Sequence, residues 1–89
     1  MFRLWARTVK KNRLLRDTII EYPDPDKTRT HKIFDSLTEV CRQFDLPSPI
    51  WLDSNISEFK RNSLTRFTQD SFVEEVPFDY LEIRVLEED

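Results

Sequence analysis

The chain contains no glycine, and with that absence goes every phosphate-cradling loop that needs a bare backbone. Each turn that demands a left-handed backbone must instead be made by a residue with a side chain, and Asn12 in "KKNR" is suited to it. A single cysteine cannot form an internal disulfide, which points to a reducing cytoplasm. One Cys and one His leave too few soft ligands for a zinc site within the chain. Apolar runs last only a few residues, far short of the ~20 that a membrane span needs. The opening "MFRLWARTVKKNR" carries basic residues with no apolar stretch behind them, so it does not read as a signal peptide.

Catalytic constellations are equally scarce. His31 and Cys41 form the natural nucleophile pair to test, but they lie ten positions apart on one expected helix, ~15 Å along its axis. A working dyad needs heavy atoms within roughly 3 Å. Cys41 falls on an apolar stripe as a structural thiol, and His31 falls in the first helical turn. Asp24 and Asp26 flank Pro25 in "DPDKT", which reads as a turn with charge near a helix start, because a calcium loop wants more oxygens and a glycine. The expectation is a protein with no catalytic residues, no cofactor and no metal.

What remains is one domain, residues 1–89, with 38% hydrophobic residues, seven Phe, two Trp and two Tyr. The net charge of -3 hides a polarity. Residues 1–16 hold Arg3, Arg7, Lys10, Lys11, Arg13 and Arg16 with no acid, whereas residues 74–89 are acidic apart from Arg84. The basic arm could meet nucleic acid, or the two ends could lie side by side and neutralise each other.

The periodicities predict strands over 2–9 and 14–22. Pairing Arg7 with Asp17, Trp5 with Ile19 and Arg3 with Glu21 matches charges and apolar groups. The register one residue away sets Arg7 against Arg16. The matched register asks for a loop of three or more residues around Asn12. Pro23 and Pro25 end the second strand. Ile33, Leu37, Val40, Cys41 and Phe44 form one stripe of a helix from about Thr30 to Phe44, capped by Thr28 or Thr30 and stopped by Pro47 and Pro49. "PIWL" reads as a short strand, and Asp53 or Ser54 as the cap of a brief helix to about Arg61. Residues 64–68 are ambiguous, and "FDYLEIRVLEE" alternates as a final strand. Phe59, Leu64, Phe67 and Phe72 in and around "FKRNSLTRFTQDSF" are expected mostly inside, with Lys60, Arg61 and Arg66 at the rim, because exposing one such side chain forgoes ~1.5–3 kcal/mol.

This order of hairpin, helix, strand, irregular segment and strand implies an α+β domain with one main helix across one face of a mixed sheet, the last strand beside the first. It resembles the β-grasp, or ubiquitin-like, fold. The chain closes on Glu87-Glu88-Asp89 rather than a paired-glycine tail, so conjugation and sulfur-carrier roles are not implied. The sheet face away from the helix then carries Arg3, Trp5, Arg7 and Ile19, with Tyr80 and Arg84 from the last strand. Aromatic residues on a basic sheet are how several RNA-binding modules stack bases, although Asp17, Glu21 and Glu82 on this face would repel phosphate. A Trp there fits a protein anchor equally, and a third arrangement folds residues 54–72 over it.

The strings "KTRTHKIFDSLTEVCRQFDL", "PIWLDSNISEFKR", "TRFTQDSF" and "FDYLEIRVLEED" resemble a family of short uncharacterised proteins from clostridial-type Gram-positive bacteria. That resemblance implies a cytoplasmic bacterial protein and carries no site residues across. The expected role is a non-enzymatic interaction or regulatory module for a protein partner. The alternative is an RNA- or ribosome-associated protein using the basic hairpin. Candidate contacts are Arg3, Trp5, Arg7, Lys10, Lys11, Arg13, Arg66, Tyr80 and Arg84. An exposed edge strand could also pair two copies into a homodimer.

Overall fold

A computed structural model describes residues 1–88. Strands β1 (Phe2–Lys10) and β2 (Arg13–Tyr22) form the opening hairpin, and α1 (Arg29–Phe44) follows. A second helix, α2 (Asp53–Asn62), leads into β3 (Leu64–Phe67), a single 3₁₀ turn (Gln69–Ser71) and β4 (Tyr80–Glu87). The sheet has four strands in the order β2-β1-β4-β3. The α+β architecture and the neighbouring first and last strands are as the sequence implies.

The hairpin takes the charge-matched register, with Arg7 opposite Asp17, Trp5 opposite Ile19 and Arg3 opposite Glu21. Its turn is shorter than expected. Lys11 and Asn12 alone span Lys10 to Arg13, both at positive φ (51° and 62°), the signature of the mirror-image turn that suits strand twist. Thr8 pairs with Arg16 and Val9 with Leu14, so Leu15 is the extra residue. This bulge lets a two-residue turn coexist with the matched register.

Two further expectations are corrected. The residues of "PIWL" form no strand; the third strand is β3, inside the stretch read as irregular. Trp51 instead turns inward and meets Phe34, Phe59 and Phe67 edge-on, with centroids 5.9, 5.6 and 5.0 Å away. A ring that packs against three others gains more than a ladder position with a proline at its start would supply. The sheet is also not mixed, because all three strand pairings are antiparallel. β3 ends level with Leu81, near the hairpin turn, and the chain enters β4 from that same end. The Asp79 N–H donates to Val9 O (2.9 Å), holding this entry point beside the turn. β4 therefore descends antiparallel to β1, unlike the parallel central pair of a β-grasp.

The helices end where side chains compete for backbone groups. Thr28 Oγ1 accepts from the His31 N–H (3.1 Å) to start α1, and Asp45 at φ 56° closes it. α2 starts after Leu52, not Asp53, because Asn55 Oδ1 accepts the Leu52 N–H (3.0 Å). The buried Asn55 amide also donates to Thr65 Oγ1 and Arg66 O, tying α2 to β3.

The core lies between α1 and the inner sheet face: Phe2, Leu4 and Ala6 from β1 and Leu81 and Ile83 from β4 are sealed under Ile33, Leu37 and Val40. Phe59, Phe67 and Phe72 are buried and Leu64 half-buried, while Lys60, Arg61 and Arg66 are exposed. The aromatic and basic stretch is packing with a charged rim. Among the described residues no helix is long and apolar enough to cross a membrane.

A side chain at positive φ costs roughly 1–2 kcal/mol relative to glycine. Asn12→Gly is expected to raise the urea midpoint, with a gain of ~0.5 kcal/mol, since Asn already tolerates this geometry. An unchanged slope with a lower midpoint would show that the Asn12 side chain stabilises the turn in another way.

Candidate functional site

The sheet face away from α1 is open: residues 53–72 pack around Trp51 and the inner layer, and Trp5 remains half-buried. The arrangement that folds this segment over Trp5 is therefore not adopted. One row of residues crosses all four strands on the open face. Asp17 faces Arg7, Arg7 faces Glu82, and Glu82 faces Arg66, so the signs alternate from edge to edge.

Glu82 is the centre of this row. Its side chain is only 1% exposed, and its two carboxylate oxygens accept from Arg7 Nε and Arg66 Nε, each at 2.9 Å. Burial pushes the carboxyl upward, but the hydrogen bonds from Arg66 and Arg7 more than offset it, holding Glu82 below the usual carboxylate range. Each guanidinium also lies over an aromatic ring. Arg7 sits 4.9 Å from the Trp5 centroid and Arg66 4.4 Å from that of Tyr80. Trp5, Arg7, Glu82, Arg66 and Tyr80 thus form one continuous stack over β1, β4 and β3. The Trp5 indole N–H donates to Asp17 Oδ2 (3.0 Å), extending it to β2.

The candidate contacts separate into groups. Arg7, Trp5, Arg66 and Tyr80 belong to the stack. Arg3 pairs with Glu21 at 3.6 Å and lies farther toward the chain start. Arg84 is exposed on the open face, opposite Trp5 on one side and Leu64 on the other. Lys10, Lys11 and Arg13 stand apart at the hairpin tip, exposed, with the Lys11 backbone N–H held by Asp79 Oδ2 (2.8 Å).

The ends neutralise each other only in part: Arg3 pairs with Glu21 rather than with the acidic end, and Lys10, Lys11 and Arg13 stay exposed at the tip. Besides Arg7–Glu82, the N-terminal amine lies 3.8 Å from Glu87. Asp89, the last acid of the closing string, is outside the described residues.

Sequence reasoning placed Glu82 on this face but not under two arginines. The signal was the alternation of "LTRF", too short at four residues to separate strand from loop. It also missed the apolar character of the β2 edge, where Leu14, Leu15 and Ile19 are about half exposed.

Cys41 is buried and His31 exposed on the same helix. Burial pushes the Cys41 thiol up to about 11. His31 Nε2 lies 3.1 Å from Asp35 Oδ2 on the surface of α1. Asp35 also accepts from the Tyr22 hydroxyl (2.6 Å), a bond that raises the phenol to about 12. Among the described residues no group of three or more His, Cys, Asp or Glu side chains could hold a metal ion. No family model, curated protein or solved structure matches this chain.

Folding favours ionised Glu82, so its stabilisation is complete above the ordinary carboxylate range and is lost as pH falls through the lowered folded value. Urea melts from pH 7 downward should show this acid loss in the wild type and a smaller one in Glu82→Gln. At pH 7 the variant should be less stable by about 2 kcal/mol, from two buried-side donors sharing a weaker acceptor. Equal stability of the two proteins at pH 7 would show that desolvation cancels the pairing.

Proposed function

We propose that the domain is a non-enzymatic interaction or regulatory module that receives a protein partner on its open sheet face, with Trp5 and Ile19 as anchors. The observation that carries this reading is the neutralised row. Arg7 and Arg66 already share Glu82 and each lies against one side of an aromatic ring. A polyanion would have to break those pairs, and a base would need the ring side that the guanidinium leaves uncovered. An apolar partner surface needs neither, because Ile19 is 45% exposed and Trp5 half-buried beside it in register. A rigid aromatic anchor ringed by satisfied charges is the usual form of an interaction hot spot. The resemblance to clostridial-type proteins and the lone cysteine favour a cytoplasmic setting for this role.

A second reading has its own support. Lys10, Lys11 and Arg13 project from the hairpin tip with no ion pair among the described residues, which suits phosphate contacts by an RNA-associated protein.

The two readings separate in one affinity capture from bacterial lysate, run with and without nuclease. The baits are the wild type, Trp5→Ser/Ile19→Ser, and Lys10→Glu/Lys11→Glu/Arg13→Glu, each checked for folding by circular dichroism. The proposal expects a protein that survives nuclease, is lost with the Trp5 variant and is kept by the tip variant. Material that vanishes with nuclease and with the tip variant would overturn it in favour of RNA.

A further inference from the structure

A second surface, on the far side of the molecule's chemistry from the open sheet face, has the form of a hole. Between α1 and α2 lies a cleft of about 190 Å³. Its floor and walls are Ile33, Phe34, Trp51, Ile56 and Phe59. Phe34 and Ile56 remain 49% and 40% exposed along its edge, an apolar surface that water contacts at a cost. The charged residues lining it are Arg29 and Lys60, both cationic, and no carboxylate lines it. Arg29 is engaged: its Nε donates to Glu88 (2.7 Å) and its guanidinium lies 5.4 Å from the Phe59 centroid. Lys60 has no ion pair among the described residues. A cavity of this size holds one apolar side chain or ring, not a drug-sized ligand. With Arg29 matched by Glu88, Lys60 is the unmatched charge of the lining, so the group that fits is a single apolar side chain with a carboxylate beside it.

The same chain carries such a group. Val73 is 88% exposed, the most exposed large apolar residue in the domain, and Glu74 and Glu75 follow it, both exposed. The segment is not a loose tether. Gln69 Nε2 donates to Glu74 O (2.8 Å) and Gln69 Oε1 accepts from the Val76 N–H (2.9 Å), so one side chain clamps the loop across its tip. Phe72 and Phe78, edge-on at 5.7 Å, anchor its two feet in the core. A clamped loop meets a partner without a large ordering cost.

We infer that the Val73–Glu74–Glu75 knob of one copy docks in the α1–α2 cleft of a second copy, Val73 entering against Trp51 and Ile56 while Glu74 and Glu75 meet Lys60 and the rim beside Arg29. The contact is small, so association is weak and appears at high concentration. It is independent of the open sheet face and leaves that face free.

Because each copy carries both a knob and a cleft, the two halves can be broken on different molecules. Sedimentation equilibrium from micromolar to millimolar protein is the test. The wild type is expected to rise from the monomer mass of 10.8 kDa toward twice that value or beyond. Val73→Asp alone and Lys60→Glu alone should each stay monomeric over that range, associating at least ~10-fold more weakly, the effect of losing roughly 1.4 kcal/mol. An equimolar mixture of the two should form a one-to-one complex, since the Lys60→Glu molecule keeps its knob and the Val73→Asp molecule its cleft. Both positions are exposed, and matching melting curves confirm that the variants fold. A wild type that stays monomeric at millimolar concentration overturns the inference. So does a mixture that stays monomeric while the wild type associates, which would place the contact elsewhere, such as the unpaired edge of β2.

Discussion

A carboxylate in a sheet with no water around it has to be held from both sides, and Glu82 is held by arginines on both neighbouring strands. That requirement ties together parts of the chain that are distant in sequence. Arg7 comes from the first strand, Glu82 from the last and Arg66 from the short β3. Removing β3 from the sheet would leave one oxygen of Glu82 without its donor, and shifting β4 by one residue would turn the carboxylate into the apolar core. Strand order and register are therefore coupled to one buried charge. The apolar inner face asks only that the alternation point the right way; the ionic row is satisfied only when β1 and β3 both neighbour β4.

The row also sets the character of the surface. Guanidinium groups that lean in to reach Glu82 must lie flat, and lying flat they cover Trp5 and Tyr80 on one side. Of the positive charge that composition places near the chain start, Arg7 is spent inside the face. What the face still exposes is apolar at Ile19 and half-buried Trp5 and cationic at Arg66, Arg84 and the hairpin tip. The two ends meet at Arg7–Glu82 and at the N-terminal amine beside Glu87, whereas the hairpin tip keeps its cations and the loop before β4 its acids on display.

A chain without glycine has to place side chains at left-handed positions, and among the described residues it does so at Lys11, Asn12, Asp45 and Ser63. Three of these close a turn or helix end with a short polar residue that can bond its own backbone, and Lys11 is held by Asp79 instead. Rigid joints of this kind suit a domain whose surfaces are preformed: a clamped acidic loop, a cleft between two helices and an open sheet face. None depends on a segment that must order itself on contact.

The residue pattern alone determined the parts of the fold that depend on neighbours in sequence. The hairpin register was legible because opposite charges and apolar groups match in one alignment only, and α1 because five apolar residues recur at helical spacing between a threonine cap and two prolines. The absence of glycine, of a second cysteine and of long apolar runs likewise needs no structure to interpret. The rest was decided in three dimensions. A two-residue turn became compatible with the matched register through a bulge at Leu15, which only the β1–β2 ladder reveals. "PIWL" lost its strand because Trp51 finds three aromatic rings brought together from α1, α2 and β3. β3 was too short to announce itself, and the last strand ran antiparallel because β3 delivered the chain to the hairpin end of the sheet. Glu82 looked like one surface acid among many, since a carboxylate shows its partners only when the strands carrying them have become neighbours.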